Sequence, residues 1–458
     1  MRVSRPREVS WPQDEPKRAS CDEQGRFESS FSQQKRGENM KKSLWKSAVL
    51  AIAAMVTPMV AGQAEAYTSA FDACTPCTQI TCDPCGSVGC GSESLWDFGG
   101  WIDAGIYSNE YGQENVYNAG QLNPVSGNTT LLQNVRQSDF QVNQLWLYGQ
   151  KKLSKRGFSV GGRADAVFGT DAIYFQSENL EFGYENANDR WGSGDYYLAL
   201  PQLYGEVGYD NVSLKVGKFL AHMEYDSPMS SERFFYSTSY SFASMPHTLT
   251  GAVATWDVSK KLSVFGGWVC GENKTFEKGD DHAFYGGIEW KAGKRLNLRY
   301  TVLLGTQEYE ADHPVYADAV RDYFVQSFVA DFQMTKRFKY VFEWTLRNET
   351  NDYLTGNNDG SYGVNNEFFY ELNKKWTIGA RFDWMHGYNG GYRFVSGDDD
   401  ALAFTLGANW KPTKRIMVRP ELRYDVFDNT APFNLTKSGY GDPRDSQLSG
   451  GVSVVVKF

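Results

Sequence analysis

The chain has 458 residues, of which 41% are hydrophobic and 22% charged, and its formal net charge is −9. This acidic balance argues against a nucleic-acid-binding surface, which needs a basic patch. The mean hydropathy of −0.50 excludes a bundle of membrane-spanning helices, because each such helix needs about 20 consecutive apolar residues. Aromatic residues make up 15% of the chain and 45 glycines stand against 15 prolines, a composition that favours β-structure.

The N-terminal part has the layout of a leader. A basic start at residues 40–42 precedes an uncharged apolar stretch at 48–61 and the small residues of Ala64-Glu65-Ala66. This order is typical of a secretory signal peptide. We therefore predict a signal peptide at residues 40–66. Residues 1–39 are either a long basic leader or an upstream extension that is absent from the mature protein, and we favour the extension.

Five cysteines cluster in the segment 67–94, which follows the signal peptide. They are spaced C-x2-C-x4-C-x2-C-x4-C, at Cys74, Cys77, Cys82, Cys85 and Cys90. Paired C-x2-C units also occur in zinc and iron–sulfur sites, but no histidine lies nearby, and exported chains usually oxidise such cysteines to disulfides. We predict local disulfides and no metal ion or cofactor, with metal binding or cross-linking between molecules as the alternatives.

The segment 95–458 repeats one unit, in which two alternating segments are joined by a short turn and followed by a long polar loop. Seven short turns lie at residues 154–157, 210–211, 258–261, 292–295, 334–337, 373–375 and 412–415. Eight long loops lie at residues 109–137, 170–196, 219–248, 271–281, 305–322, 347–361, 386–400 and 427–447. These connections predict a transmembrane antiparallel β-barrel of about sixteen strands, with short periplasmic turns and long extracellular loops. Fourteen or eighteen strands are the alternatives.

Each strand separates apolar from charged residues on its two faces. In the segment 416–426 the apolar set is Ile416, Val418, Pro420, Leu422, Tyr424 and Val426, and the opposite set is Met417, Arg419, Glu421, Arg423 and Asp425. Such alternation also fits a soluble sandwich that buries its apolar face. Trp and Tyr recur near the strand ends, however, as in the aromatic girdles of membrane barrels. We therefore expect lipid on the apolar face and the lumen on the charged face. Gln144 and Asn366 break the pattern, and a bulge near Leu145 would explain the first.

The final segment, 448–458, ends on Phe458 and keeps apolar residues on one face. This ending resembles the C-terminal strand signal that the barrel-assembly machinery recognises. In lipid, an open sheet edge leaves backbone groups without partners, so a sheet must close to span the membrane. A closed barrel of about sixteen strands has a lumen too wide for side chains to fill, and the sequence therefore predicts an aqueous channel.

Several short motifs, in this order along the chain, resemble the OmpL-like β-barrel porins of planctomycete-type bacteria. They are GGWID at 99–103, LWLYGQKKL at 145–153, GRADAVFGTDA at 162–172, LPQLY at 200–204, LKVGKF at 214–219, RFFYSTSY at 233–240 and HTLTG at 247–251. The resemblance covers essentially the whole of residues 95–458. It implies a pore-forming outer-membrane protein, and it gives no catalytic residues that could be assigned to positions of this sequence.

The loop that follows the fifth strand, at residues 220–248, is the one that trimeric porins fold into the channel. Our hypothesis is that its acidic residues Glu224, Asp226 and Glu232 face inward basic residues across a constriction, where the resulting field orients polar solutes. The candidate pore-lining residues are Arg163, Asp165, Lys215, Glu224, Asp226, Glu232, Arg299, Arg381, Arg419 and Arg423. The alternative is a loop that packs over the rim with solvated charges.

The sequence thus predicts a non-enzymatic outer-membrane porin for passive diffusion of ions and small hydrophilic solutes, assembled as a homotrimer. A structural or adhesive barrel with a plugged pore, tethered through its cysteine-rich segment, is the main alternative. A barrel hydrolase is a weaker one, because no Ser/His/acid set is found on adjacent outward strand positions. The five histidines show no metal-ligand spacing.

Overall fold

A computed structural model describes residues 95–115, 127–128, 136–182, 190–276, 281–308, 320–350, 358–389, 398–435 and 442–458. The predicted upstream extension, signal peptide and cysteine-rich segment lie outside the described residues. Within these ranges, no helix is long and apolar enough to cross a membrane.

The described chain is almost entirely β-structure. The strands are β1 (Trp96–Asn109), β2 (Gln141–Lys151), β3 (Phe158–Gly169), β4 (Gly192–Ser193), β5 (Tyr196–Ala199), β6 (Leu203–Tyr209), β7 (Val212–Leu220), β8 (Thr248–Asp257), β9 (Leu262–Glu272), β10 (His282–Lys291), β11 (Leu296–Glu308), β12 (Val320–Gln333), β13 (Phe338–Thr350), β14 (Asp359–Asn373), β15 (Trp376–Tyr388), β16 (Asp399–Trp410), β17 (Ile416–Phe427) and β18 (Ser446–Lys457). A 3₁₀ helix (Thr170–Phe175) and α1 (Tyr240–Ser244) lie in two of the long loops.

Neighbouring strands pair antiparallel in chain order, and β1 pairs with β18, so that the sheet closes. β5 pairs with the end of β3, and β6 pairs with the beginning of β3. Together β5 and β6 therefore form one barrel strand. The two-residue strand β4 pairs with β5. The barrel therefore has sixteen strands, and the predicted strand number, turns and loops are confirmed.

The exposure of alternate side chains on β17 shows which face is inside. Leu422 is 61% exposed, whereas the next residue, Arg423, is 1% exposed. A soluble sandwich would bury the apolar side chain and expose the charged one. Here the apolar residues cover the outer surface and the charged residues point inward, as a barrel surrounded by lipid requires. This confirms the predicted phase of the strands.

The two polar residues that break the alternation, Gln144 and Asn366, are accommodated in different ways. The register of β1 against β2 shifts between Asp103 and Ala104, and the resulting bulge in β2 leaves Gln144 fully buried. The bulge near Leu145 is thus confirmed. Asn366 stays on the outer face, where its side-chain oxygen accepts a hydrogen bond from the Tyr340 hydroxyl at 2.8 Å.

The barrel closes at its C-terminal residue. The backbone N–H of Phe458 donates to the carbonyl of Gly100 at 3.0 Å, and the N–H of Gly100 donates back at 3.3 Å. A Cβ atom on Gly100 would lie 2.7 Å from the Phe458 ring and 2.3 Å from the carbonyl oxygen of Trp146. A glycine is therefore required where the aromatic terminus meets β1.

Candidate functional site: the barrel interior and loop L3

The loop at residues 221–247, which joins β7 to β8 and is called L3 below, folds into the barrel. The Tyr236 hydroxyl donates to Asn143 of β2 at 3.2 Å, while the backbone N–H of Tyr225 donates to Glu343 of β13 at 3.0 Å. These two strands lie on nearly opposite sides of the barrel. The loop therefore crosses the interior.

Apolar side chains of L3 pack against inward residues on several sides of the wall. Phe235, with Phe234 beside it, contacts a cluster on β12–β14 that includes Val341, and Met223 packs with residues of β7–β12. Helix α1 contributes Tyr240 and Ala243 to a further cluster with β15 and β16. Inward apolar residues such as Val341, placed between charged neighbours, thus serve as contact points for the loop.

Three inward arginines bind backbone carbonyls of L3. Arg381 donates to the carbonyls of residues 237 and 238, each at 3.0 Å, and Arg423 donates to that of residue 238 at 2.9 Å. Arg419 donates to the carbonyls of residues 230, 233 and 235 at 3.0–3.3 Å. All three side chains are 1% exposed or less. They act as anchors of the loop.

Wall carboxylates bind the backbone N–H groups of L3 in the same way. Glu421 accepts from the N–H groups of Tyr236 and Ser237, at 2.8 and 3.2 Å. Apart from the single turn of α1, the loop has no regular structure that could pair its own backbone groups. Buried backbone groups need partners, and the charged wall provides them.

Gln144, at the β2 bulge, connects L3 to two other elements. Its side-chain oxygen accepts from the Trp101 indole N–H at 3.0 Å and from the backbone N–H of Ser230 at 3.1 Å. Its amide group donates to the carboxylate of Asp171 in the 3₁₀ helix at 2.8 Å and to the carbonyl of Pro228 at 3.0 Å. In the sequence, the only signal for this role was a polar residue on the apolar parity.

The three acidic residues predicted at the constriction occupy different environments. Glu224 is buried beside His247, at 3.8 Å, and burial, followed by the nearby Glu343, raises its pKa well above the usual range. Asp226 is buried and accepts from the backbone N–H of Ser239 at 3.0 Å. Glu232 is exposed and accepts from the Ser227 hydroxyl at 3.0 Å. Only Glu232 therefore offers an exposed charge to the interior.

The predicted basic residues divide into two sets. Arg381, Arg419 and Arg423 are buried under L3, whereas Arg163, Lys215 and Arg299 are only half-buried. Arg163 pairs with the buried Asp165 at 2.6 Å and lies over the Tyr148 ring. Arg299 donates to the backbone carbonyl of Glu224.

The arrangement differs from the expected one, in which acids and bases face each other across a gap. Asp226 lies 3.8 Å from Arg381, in direct contact with the wall. The buried arginines are occupied by loop carbonyls and by strand carboxylates such as Asp425, 2.8 Å from Arg423. Half-exposed inward charges are instead found on the β3–β11 side of the interior.

The model of the family described as "Putative beta-barrel porin-2, OmpL-like" matches residues 96–458. Among solved structures, the anion-selective porin from Comamonas acidovorans is 12% identical with a TM-score of 0.51, over 79% of this chain and 99% of that chain. The outer membrane channel DcaP of Acinetobacter baumannii is 12% identical with a TM-score of 0.50, over 79% and 97%. A loop-deletion mutant of OmpT of Vibrio cholerae is 9% identical with a TM-score of 0.50, over 79% and 99%. At these identities the likeness concerns the fold. A search of curated proteins found no match.

Proposed function

The chain belongs to the OmpL-like β-barrel porin family and is an outer-membrane porin, and from this premise we propose that it forms a water-filled channel for passive diffusion of ions and small hydrophilic solutes. One observation carries the proposal. L3 is anchored by buried charged residues of β13, β15 and β17, while the inward charges Arg163, Glu206, Lys215, Glu289 and Arg299 on β3–β11 remain half-buried or exposed. A polar passage along these charges would suit hydrated solutes.

Two measurements on purified protein test this function. We expect stepwise conductance in planar lipid bilayers and swelling of liposomes in iso-osmotic solutions of small sugars. A barrel that serves only structure or adhesion would give neither. The family membership favours the pore over that alternative, and a folded, inserted barrel without conductance or swelling would contradict our proposal.

We further propose that the candidate pore-lining residues act in two ways. Arg163, Lys215, Glu232 and Arg299, which are half-buried or exposed, act on passing ions directly. Glu224, Asp226, Arg381, Arg419 and Arg423 act through the position of L3. The buried Asp165 acts through its ion pair with Arg163. The proposal assigns no catalytic step and no cofactor to the barrel.

Assembly and export complete the proposal. We propose a homotrimer, in which the small outward side chains Ala164, Ala166 and Ala252 of β3 and β8 would let neighbouring barrels approach closely. Recognition of Phe458 by the assembly machinery and cleavage of the signal peptide at residues 40–66 precede insertion. Native mass spectrometry would show a monomer if the first part is wrong, and N-terminal sequencing of the mature chain tests the cleavage site. Disulfides among the five cysteines of segment 67–94 would appear as a mass increase on reduction and alkylation.

A further inference from the structure

Five short turns at the periplasmic end of the barrel share one basic sequence. They precede β9, β11, β13, β15 and β17, and in each the two residues before the strand are a lysine followed by a lysine or an arginine. The first residues of these pairs, called the tip lysines below, are all exposed; they are Lys260, Lys294, Lys336, Lys374 and Lys414. By contrast, each of the eight long loops carries more acidic than basic residues. The two ends of the barrel therefore differ in the sign of their charge.

Local hydrogen bonds place the tip lysine in the same way in four of these turns. In the turn at residues 258–261, the Ser259 hydroxyl accepts from the backbone N–H groups of Lys261 and Leu262, each at 3.1 Å. The same two hydrogen bonds, at 2.9–3.2 Å, recur in three other turns, where the acceptors are Thr335, Asn373 and Thr413. The tip lysine follows the acceptor directly and precedes both donors, so it lies at the end of the turn each time.

The tip lysines lie beyond the last hydrogen-bonded pair of the sheet. The basic residue after each of them is still paired. The carbonyl of Lys261 accepts from the backbone N–H of Lys291, and the carbonyl of Lys375 accepts from that of Lys411, both at 2.8 Å. A tip lysine comes one residue further out and two residues before the first outward apolar residue of its strand. At about 3.3 Å of chain per residue, it lies within roughly 7 Å of the apolar band.

Exposed tryptophans of the outer face mark the membrane interface at this end. Trp376 begins β15 two residues after Lys374, and its ring stacks on that of Trp410 with 5.9 Å between the centroids. Trp256 and Trp290 lie at the corresponding ends of β8 and β10. Outward tryptophans in such positions sit at the level where hydrocarbon meets the headgroups. The headgroup layer is roughly 5–8 Å deep, so the tip lysines lie within it.

The tip lysines have no acidic partner within the described residues. An ion pair at this end joins Lys152 to Asp97 at 3.1 Å, and none includes a tip lysine. The acids next to the turns are Asp257, which accepts from the Ser263 hydroxyl at 2.5 Å, and the exposed Glu371. The paired basic residues of neighbouring strands add further positive charge. Like charges placed side by side are unfavourable without a counter-charge, so this surface suits an external anion.

We propose that the tip lysines bind the phosphate headgroups of anionic phospholipids in the periplasmic leaflet of the outer membrane. Each ammonium group donates to phosphate oxygens, while the acyl chains lie along the outward apolar side chains above it. Basic residues next to a membrane attract anionic lipids, with up to about fivefold in affinity for each lysine. The proposal does not depend on conduction, because the surface lies outside the lumen.

The test measures tryptophan fluorescence of the full-length barrel in phospholipid vesicles. Brominated lipids quench nearby tryptophans, so quenching by brominated phosphatidylglycerol and by brominated phosphatidylcholine gives their relative binding constant. We expect the wild type to prefer phosphatidylglycerol by about fivefold at low salt, and to lose most of this preference in about 1 M NaCl. The triple variant Lys260→Gln, Lys336→Gln and Lys374→Gln should lower the relative binding constant by about threefold.

The matched control is the triple variant Lys261→Gln, Arg337→Gln and Lys375→Gln. It removes the same charge from the same three turns, at the positions that continue the lumen face of the strands. We expect it to change the relative binding constant by less than about 1.5-fold. Equal losses in the two triple variants, or a wild type without preference for phosphatidylglycerol, would overturn the proposal. Unheated gels establish first that both variants are folded barrels.

Co-sedimentation with purified peptidoglycan tests the other anionic partner in the periplasm. We expect the wild type and the tip-lysine variant to sediment to the same small extent. Sedimentation of the wild type that the tip-lysine variant loses, without a lipid preference in the quenching experiment, would assign the basic turns to the cell wall and contradict lipid binding.

Discussion

The Glu421 carboxylate of β17 accepts a hydrogen bond from the backbone N–H of Tyr236 in L3, and the two atoms are 2.8 Å apart. The same carboxylate accepts from the N–H of Ser237 and from the Tyr107 hydroxyl of β1, at 3.2 and 3.0 Å. One wall residue thus joins the middle of the loop to two strands of the barrel. Since the loop has little regular structure, its position depends on such contacts.

Glu421→Ala should release the middle of L3. The variant leaves two loop N–H groups without their charged partner, and each such hydrogen bond contributes about 1.5–3 kcal/mol. Arg233, which is 2% exposed, should become accessible to trypsin. Limited proteolysis of the barrel in detergent, with fragments identified by mass spectrometry, measures this. Glu371→Ala removes an exposed glutamate and should leave cleavage after Arg233 unchanged. Equal cleavage in both variants would contradict the anchoring role.

Glu232→Gln should shift ion selectivity more than Asp226→Asn does. Glu232 is exposed to the interior, so its loss should raise the ratio of chloride to potassium permeability by about twofold. Asp226 is buried next to Arg381, and its loss should lower stability rather than change the potential along the passage. Reversal potentials across a KCl gradient give the ratios. A larger shift in Asp226→Asn would show that the buried acid faces the ion path.

Gly100→Ala should destabilise the closure of the barrel. The added Cβ would meet the carbonyl oxygen of Trp146 at 2.3 Å and the Phe458 ring at 2.7 Å, and such overpacking costs about 1–3 kcal/mol. The loss should appear as a lower temperature at which the folded band disappears on unheated gels. Gly293→Ala is the control, because no heavy atom lies within 4 Å of its Cβ position, and we expect a change of about 0.5 kcal/mol or less.

Asn366→Arg should test directly whether the outer face contacts lipid. Asn366 points outward near the middle of β14, and an arginine there would cost about 2–4 kcal/mol at the bilayer midplane. Asn297→Arg introduces the same residue at an exposed inward position opposite Asp331, and should change stability by less than about 1 kcal/mol. Urea unfolding from lipid vesicles compares the two. Similar losses would contradict the assignment of inside and outside.

Asp171→Asn should change how stability depends on pH. Burial raises the pKa of Asp171 to about 7. The nearby Asp103 also raises this pKa, whereas the charge of Arg233 opposes the shift. Because the pKa is higher in the folded state, protonation of Asp171 stabilises the folded protein fully at pH values below the unfolded-state pKa, which is near 4. This contribution is lost as the pH rises to about 7. Each unit between the two values corresponds to about 1.4 kcal/mol.

The wild-type barrel should therefore lose stability between about pH 4 and pH 7, and Asp171→Asn should lose less of it over that range. Urea midpoints at several pH values measure both profiles. Asp139→Asn, an exposed position at the rim, serves as the control and should follow the wild type. Parallel profiles for wild type and Asp171→Asn would show that Asp171 does not titrate in this window.

The sequence predicted part of the candidate site. It identified the inward charges of the strands and the loop after β7 as the one that folds into the barrel. It did not show that Arg381, Arg419 and Arg423 bind that loop. An arginine that anchors a loop and one that faces water both occupy inward positions of a strand, so the alternation of the sequence does not distinguish them. Nor did it show that Arg299 donates to the backbone carbonyl of Glu224 in L3, since such contacts depend on distances between separate segments of the chain.

By itself, the sequence determined the number of strands, the ends at which they turn and the face that each presents to lipid. These properties follow from local periodicity, because residues two apart on a strand share a face and turns interrupt the pattern. The tertiary structure alone decided where L3 lies and which charges it occupies. Those contacts join residues as distant as Tyr236 and Glu421, and the closure of the barrel brings them together.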